Sequence, residues 1–219
     1  MRPIKTYISK THHQNGIIVS VAFLSFLFLC FHFYWQNYDG FSDSLIASGD
    51  LVFSQGQWYR AFTSIFIHAD LNHLLSNSYM LFFLIYLNYS YFGPLLFPTL
   101  AIIFSTLINI IALYTYHPQI QLLGASGLAY LLGGCWLSLF ILIDRRISFG
   151  LRVFKAIAIA LIIFFPQSLV TEVSYRTHFF GFLLGILTGA VYFILKMKKI
   201  RRAELYPEPE LDPESPEDF

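Results

Sequence analysis

Four side chains stand where an apolar chain pays a desolvation cost for them, and together they suit acyl-transfer chemistry: Ser126, His178, His73 and Asn77. Ser126 lies in GASGLAYLLGG, at the mouth of an apolar run. Its neighbours Gly124 and Gly127 leave room for a substrate backbone around a serine nucleophile. The free N–H groups of a helix start would face negative charge developing on a carbonyl. Read alone, Ser126 serves equally as a helix N-cap. The soluble-hydrolase elbow needs glycine two residues after the serine, and this chain has Leu128 there.

His178 opens THFFGFLLGILTG, in which Gly181, Gly185 and Gly189 recur every four residues. Such a ridge of small residues lets two membrane helices approach closely. His178 heads that ridge, one turn before Gly181. Read alone, it is a packing ridge with an interfacial histidine. In HADLNHLLSN, His73 and Asn77 share a helix face and His68 precedes them. Read alone, that is a polar helix start at the interface. Ser126, Tyr130 and Gly134 also recur every four residues. If their face packs on the His–Gly ridge, Ser126 and His178 arrive at one membrane depth. A serine within hydrogen-bond reach of a histidine is the minimum for an activated nucleophile.

The elements that must position these groups are apolar. Of 219 residues, 56% are hydrophobic and 12% charged, against about 25% charged in a soluble domain. Apolar segments run over 16–35, 73–92, 95–114, 128–143, 151–170 and 178–195. About 20 residues span a bilayer core as a helix. The expected fold is therefore an all-α polytopic membrane protein with six transmembrane helices. The fourth and sixth segments are shorter and begin at polar motifs. Their backbone must be buried in protein or face a water-filled cavity. The first segment follows Arg2, Lys5 and Lys10, as a signal peptide would. Its length and the want of a small-residue cleavage site make it a retained helix.

The chain divides into a tail at 1–15, a membrane domain at 16–198 and a second tail at 199–219. The ending EPELDPESPEDF is acidic, rich in proline and too polar to fold alone. Of the 14 Lys and Arg, all but Arg60 and Arg176 fall in the two tails, the fourth-to-fifth connection or the flank of the last helix. By the positive-inside rule both termini are cytoplasmic. A net charge of +1 gives no footprint for nucleic acid. Cys30 and Cys135 both lie in apolar runs and form no disulfide framework.

In motif order the chain resembles the rhomboid intramembrane serine proteases. WYRAFTSIFIHADLNHLLSN looks like that family's first loop and second helix, GASGLAY like its serine motif, and HFFGFLLG like its sixth-helix motif. The resemblance spans roughly 57–189. It implies a rhomboid-like core with a long, partly membrane-embedded first loop at 36–72. It implies Ser126 as nucleophile and His178 as general base, with no carboxylate third member. His73 and Asn77, with the Ser126 N–H, would stabilise the oxyanion. Tyr130 would pack on the His178 ring, and Gly181 and Gly185 would permit the close approach. Gly124 and Gly127 would line the site. Arg60 and His68 would hold the first loop. Two departures stand out: Tyr59-Arg60 replaces the usual Trp-Arg pair, and Thr177 replaces the usual alanine before His178.

The expected activity is intramembrane endopeptidase cleavage of transmembrane proteins with a Ser-His dyad and no cofactor or metal. Its partners are those substrates and the lipid bilayer, not nucleic acid. A minimal six-helix chain fits a prokaryotic inner membrane. A cavity open to the outer face would be lined by Ser126, His178, His73 and Asn77. The segment FFPQSLVTEVSYR, with Pro166, is the expected substrate gate. The alternative is a non-catalytic rhomboid-like chaperone or retention factor. A metal-dependent protease is disfavoured because no His-Glu-x-x-His signature occurs. A transporter is disfavoured because the halves show no inverted repeat.

Overall fold

Long runs of Leu, Ile and Phe without helix breakers become helices. In the computed structural model, which describes residues 1–164 and 174–208, these are α1 (Gly16–Gln36), α2 (Arg60–Thr63), α3 (Leu71–Phe92), α4 (Ala101–Thr115), α5 (Ser126–Ile143), α6 (Phe149–Phe164) and α7 (Tyr175–Arg202). Strands β1 (Ala47–Ser48) and β2 (Gln121–Leu122) pair antiparallel, Ala47 opposite Leu122. This ribbon ties the first loop to the connection that leads into α5.

Among the described residues, four helices are long and apolar enough to cross a membrane: Gly16–Gln36, Leu95–Thr115, Ser126–Ile143 and Tyr175–Arg202. The sequence suggests six segments, and the difference has two sources. α3 has 22 residues, but its asparagines, serines and His73 lower its mean hydropathy. α6 is described for 16 residues; residues 165–170, with Pro166, lie outside the described residues, as does most of the expected gate. α5 is 78% buried across its apolar window, whereas α1 is 17% buried. The helix that begins at Ser126 is thus the central one, and α1 lies at the periphery.

α7 continues through Arg202, past residue 198, and its last turn carries Lys199, Arg201 and Arg202. Those cations suit the negative end of the helix dipole. The Ile4 N–H donates to the Leu205 carbonyl at 2.7 Å, and the Leu205 N–H donates to the Lys5 carbonyl at 3.1 Å. Tyr7 and Ile8 are buried. Parts of both expected tails are therefore packed together, which puts the N-terminal segment and the end of α7 on one side. Residues 209–219, most of the acidic ending, lie outside the described residues.

α5 and α7 approach each other closely. A Cβ on Gly181 would lie 2.7 Å from the Gly127 carbonyl oxygen, and one on Gly189 would lie 2.7 Å from that of Cys135. At Gly185 it would run into the Leu131 carbonyl. The glycine ridge of α7 thus rides on Gly127, Leu131 and Cys135, one position along from the expected Ser126–Tyr130–Gly134 face. Gly134 instead admits the α7 backbone at Phe182 and Ile186.

Gly185→Ala should lower stability by about 1–3 kcal/mol, the usual cost of overpacking. Gly150→Ala, where a Cβ meets nothing within 4 Å, should leave stability unchanged or raise it slightly. Thermal unfolding in detergent micelles measures both.

Candidate active site

The start of α5 is held from outside the helix. Gly124 has φ +119°, a conformation that L side chains rarely adopt. A Cβ there would also lie 2.7 Å from His73 Cε1 and 3.8 Å from Asn77 Nδ2. The Gly124 N–H donates to the Ser64 carbonyl at 2.9 Å. The Ala125 N–H donates to His68 Nε2 at 3.3 Å. The first loop therefore takes up the two N–H groups just before Ser126. Ser126 is the first helical residue, Ala125 occupies the cap position, and no side-chain cap bond forms. The capping role open to Ser126 in the sequence is not the one it takes. Its residue is 6% exposed, and the N–H groups of this first turn have no intrahelical acceptor.

Arg60 and Thr63 tie the first loop to its own backbone carbonyls. Arg60 is buried; it donates to the Ile46 carbonyl at 2.9 Å and also to the Asp43 carbonyl and Gln57 Oε1. Thr63 Oγ1 donates to the Leu45 carbonyl at 2.9 Å. His68 is fully buried and stands 5.2 Å from His73 between ring centroids. α3 begins at Asp70, whose carboxylate accepts from the His73 N–H at 2.8 Å. One turn on, Asn77 is fully buried beside Gly124.

His178 enters from α7. Its ring stacks on Tyr130, with centroids 4.0 Å apart and an interplanar angle of 11°. Tyr130 lies one turn after Ser126 on α5. A Cβ on Gly181 would sit 3.2 Å from Tyr130 Cβ, and one on Gly127 would sit 2.8 Å from Thr177 Cγ2. The Thr177 methyl group therefore fills the space that Gly127 leaves. No hydrogen bond joins Ser126 Oγ to His178 among the described residues; in unliganded sites such bonds are often long and tighten when substrate binds. Among the described residues, no group of three or more His, Cys, Asp or Glu is placed to hold a metal ion.

The structure thus gathers Gly124, His73, Asn77 and Ser126 at the start of α5. It stacks Tyr130 and His178 one turn further on, over Gly127 and Gly181. The rhomboid-domain family model matches residues 55–195, which is more than half of the chain. This chain belongs to the rhomboid family. No curated protein matches it. The match takes in the first loop from residue 55, the α5 start and the α7 ridge, so Arg60, His68, His73, Asn77, Gly124, Ser126, Tyr130 and His178 all lie inside it. The rhomboid family is typically one of intramembrane serine proteases and also includes inactive relatives. The domain and the apolar helices together make this an integral membrane protein.

Two supporting residues escape the sequence reading. Asn109 on α4 donates to the Ala61 carbonyl at 3.0 Å and to Ser64 Oγ at 3.2 Å. Ser64 in turn receives the Gly124 N–H. An asparagine in the apolar run IIFSTLINIIALY is a legible signal, because a polar group at that depth needs a partner. Ser64 carries no signal of its own in the sequence.

Burial pushes His68 down to about 3, and the neighbouring His73 adds to the effect while the Phe66 backbone opposes it. The unfolded chain takes up this proton near pH 6.5, and the folded protein refuses it until about pH 3. Stability should therefore fall as pH drops below about 6.5 and level off near 3. Thermal unfolding against pH should show this slope in the wild type and a flatter one in His68→Asn.

Proposed function

We propose that this rhomboid protein is an intramembrane serine endopeptidase that cleaves transmembrane segments of membrane proteins. The observation that carries the reading is the Tyr130–His178 stack beside the α5 start. It holds an imidazole at one end of the α5–α7 contact, one turn from Ser126. In this reading Ser126 Oγ attacks the scissile carbonyl. His178 accepts the hydroxyl proton and returns it to the leaving amine. His73, Asn77 and the Ser126 N–H stabilise the tetrahedral oxyanion. Gly124 keeps His73 and Asn77 close to that position. Water then hydrolyses the acyl-enzyme from the outer face, with no metal or cofactor.

In the same reading α3 and α6 complete six membrane spans, and the first loop is partly embedded in the outer half of the bilayer. Both termini are cytoplasmic, consistent with the Lys and Arg clustered around the paired chain ends. The host membrane is a prokaryotic inner membrane. A non-catalytic rhomboid relative is the second reading. The rhomboid family includes such inactive relatives, and among the described residues no hydrogen bond joins Ser126 Oγ to His178.

Purified protein treated with a fluorophosphonate should gain one adduct, mapped to Ser126 by intact mass and peptide analysis. Ser126→Ala should gain none, and His178→Ala should label at least about 10²-fold more slowly. A folded wild type that takes no label in detergent or in lipid vesicles would select the non-catalytic reading. On a cleavable transmembrane substrate, His73→Ala and Asn77→Ala should each lower kcat by about 10²-fold, the scale for one oxyanion donor.

A further inference from the structure

Gly133 and Gly134 are adjacent in α5 and face different helices. A Cβ on Gly134 would run into the α7 backbone at Phe182 and lie 3.0 Å from the Ile186 nitrogen. The three atoms nearest a Cβ on Gly133 would all belong to Phe164: it would run into Cζ, with Cε2 at 3.2 Å and Cε1 at 3.3 Å. Phe164 is the last described residue of α6. Leu161 and Ile162 on that helix face outward at 68% and 64% exposure, whereas Ile163 next to Phe164 is buried. Phe164 turns inward, into a notch between α5 and α7, with its ring centroid 6.3 Å from Phe182 in an edge contact.

What fills that notch is a third ring in the stack. Phe164 lies nearly parallel to Tyr130, with centroids 4.3 Å apart and planes 17° apart. His178 lies nearly parallel to the same ring at 4.0 Å and 11°. Two parallel rings at those spacings would overlap if they shared one face of Tyr130. They therefore take opposite faces, and Tyr130 is a slab between them. One face is set by α7 and the other by α6.

We propose that Phe164 is a positioning residue for His178, acting through Tyr130. This rests on the reading of Ser126 and His178 as nucleophile and base. A tyrosine ring stacked on one side only can tilt about its χ angles and take the imidazole with it. A ring on each side removes that freedom. Gly133 is the residue that lets Phe164 reach the stack, which gives the adjacent glycines of α5 separate tasks. The base is thus oriented by three helices rather than two.

The test uses the full chain in detergent micelles and reads the second-order rate of fluorophosphonate labelling at Ser126. Phe164→Leu keeps apolar bulk and removes the ring face. It should label about two- to tenfold more slowly, the scale of one aromatic pair beyond its burial. On a peptide substrate the loss should fall in kcat rather than KM. Phe164→Tyr, which keeps the ring, should stay within about twofold of wild type on that same scale. Gly133→Ala should slow labelling by pushing Phe164 away, and Gly133→Ala with Phe164→Leu should be no slower than the worse single variant.

Labelling of Phe164→Leu as fast as wild type, or faster, overturns the proposal. Equal losses in Phe164→Leu and Phe164→Tyr also overturn it, because bulk and not the ring would then matter. If Phe164→Leu does not fold, Gly133→Ala decides: an unchanged rate overturns the proposal. A wild type that takes no label overturns the protease reading itself, and this inference with it.

Discussion

The contact on which everything else depends is backbone against backbone. α7 lies directly on the α5 backbone at Gly181 and Gly185, and at Gly189 it meets the Ser138 hydroxyl and the Cys135 carbonyl. In a bilayer there is no hydrophobic drive to bring two apolar helices together, so the gain must come from van der Waals packing at short range. Small residues are what make that range available. The consequence for the site is direct. The Tyr130 and His178 rings stack at 4.0 Å because the helices that carry them are that close at Gly127 and Gly181. A wider helix pair would leave the imidazole without a surface to lie on.

A second constraint is the cost of polar groups buried in apolar surroundings. Three such groups tie elements together. Asn88 on α3 donates to the Leu84 carbonyl at 2.8 Å and to the Leu132 carbonyl of α5 at 3.1 Å. Asn109 on α4 holds Ala61 and Ser64 of the first loop. His68 holds the Ala125 N–H. The central helix is thus fixed laterally from α3 and at its start from the first loop. A buried amide left unpaired would cost several kcal/mol, so these bonds also select one arrangement of the helices over others.

The first loop is accordingly part of the site and not only a connector. Its own carbonyls are occupied by Arg60 and Thr63, which leaves Ser64 and His68 free to grip the chain before Ser126. The N–H groups at Gly124 and Ala125 are consumed there. Those of the first turn of α5 are not, because a helix start has no acceptor for them. The division between gripped and ungripped donors falls at Ser126.

Much of this was legible in the sequence because it follows from composition and spacing alone. Apolar runs about 20 residues long can only be spans or buried helices, and Ser126, His178, His73 and Asn77 stand out against them. The four-residue glycine period announces a close helix contact. The distribution of Lys and Arg gives an expected orientation by the positive-inside rule. What the period does not contain is its register. A ridge spaced by four fits the row through Ser126 or the row through Gly127 equally well, and only the crossing of two complete helices chooses the second. The cap at Ala125, the grip of Ser64 and His68, and the third ring at Phe164 are of the same kind. Each pairs residues far apart in the chain, and one phenylalanine among 24 carries no local mark of the partner it will meet. Local patterns determine which face of a helix is sticky; the sum of all contacts decides what it sticks to.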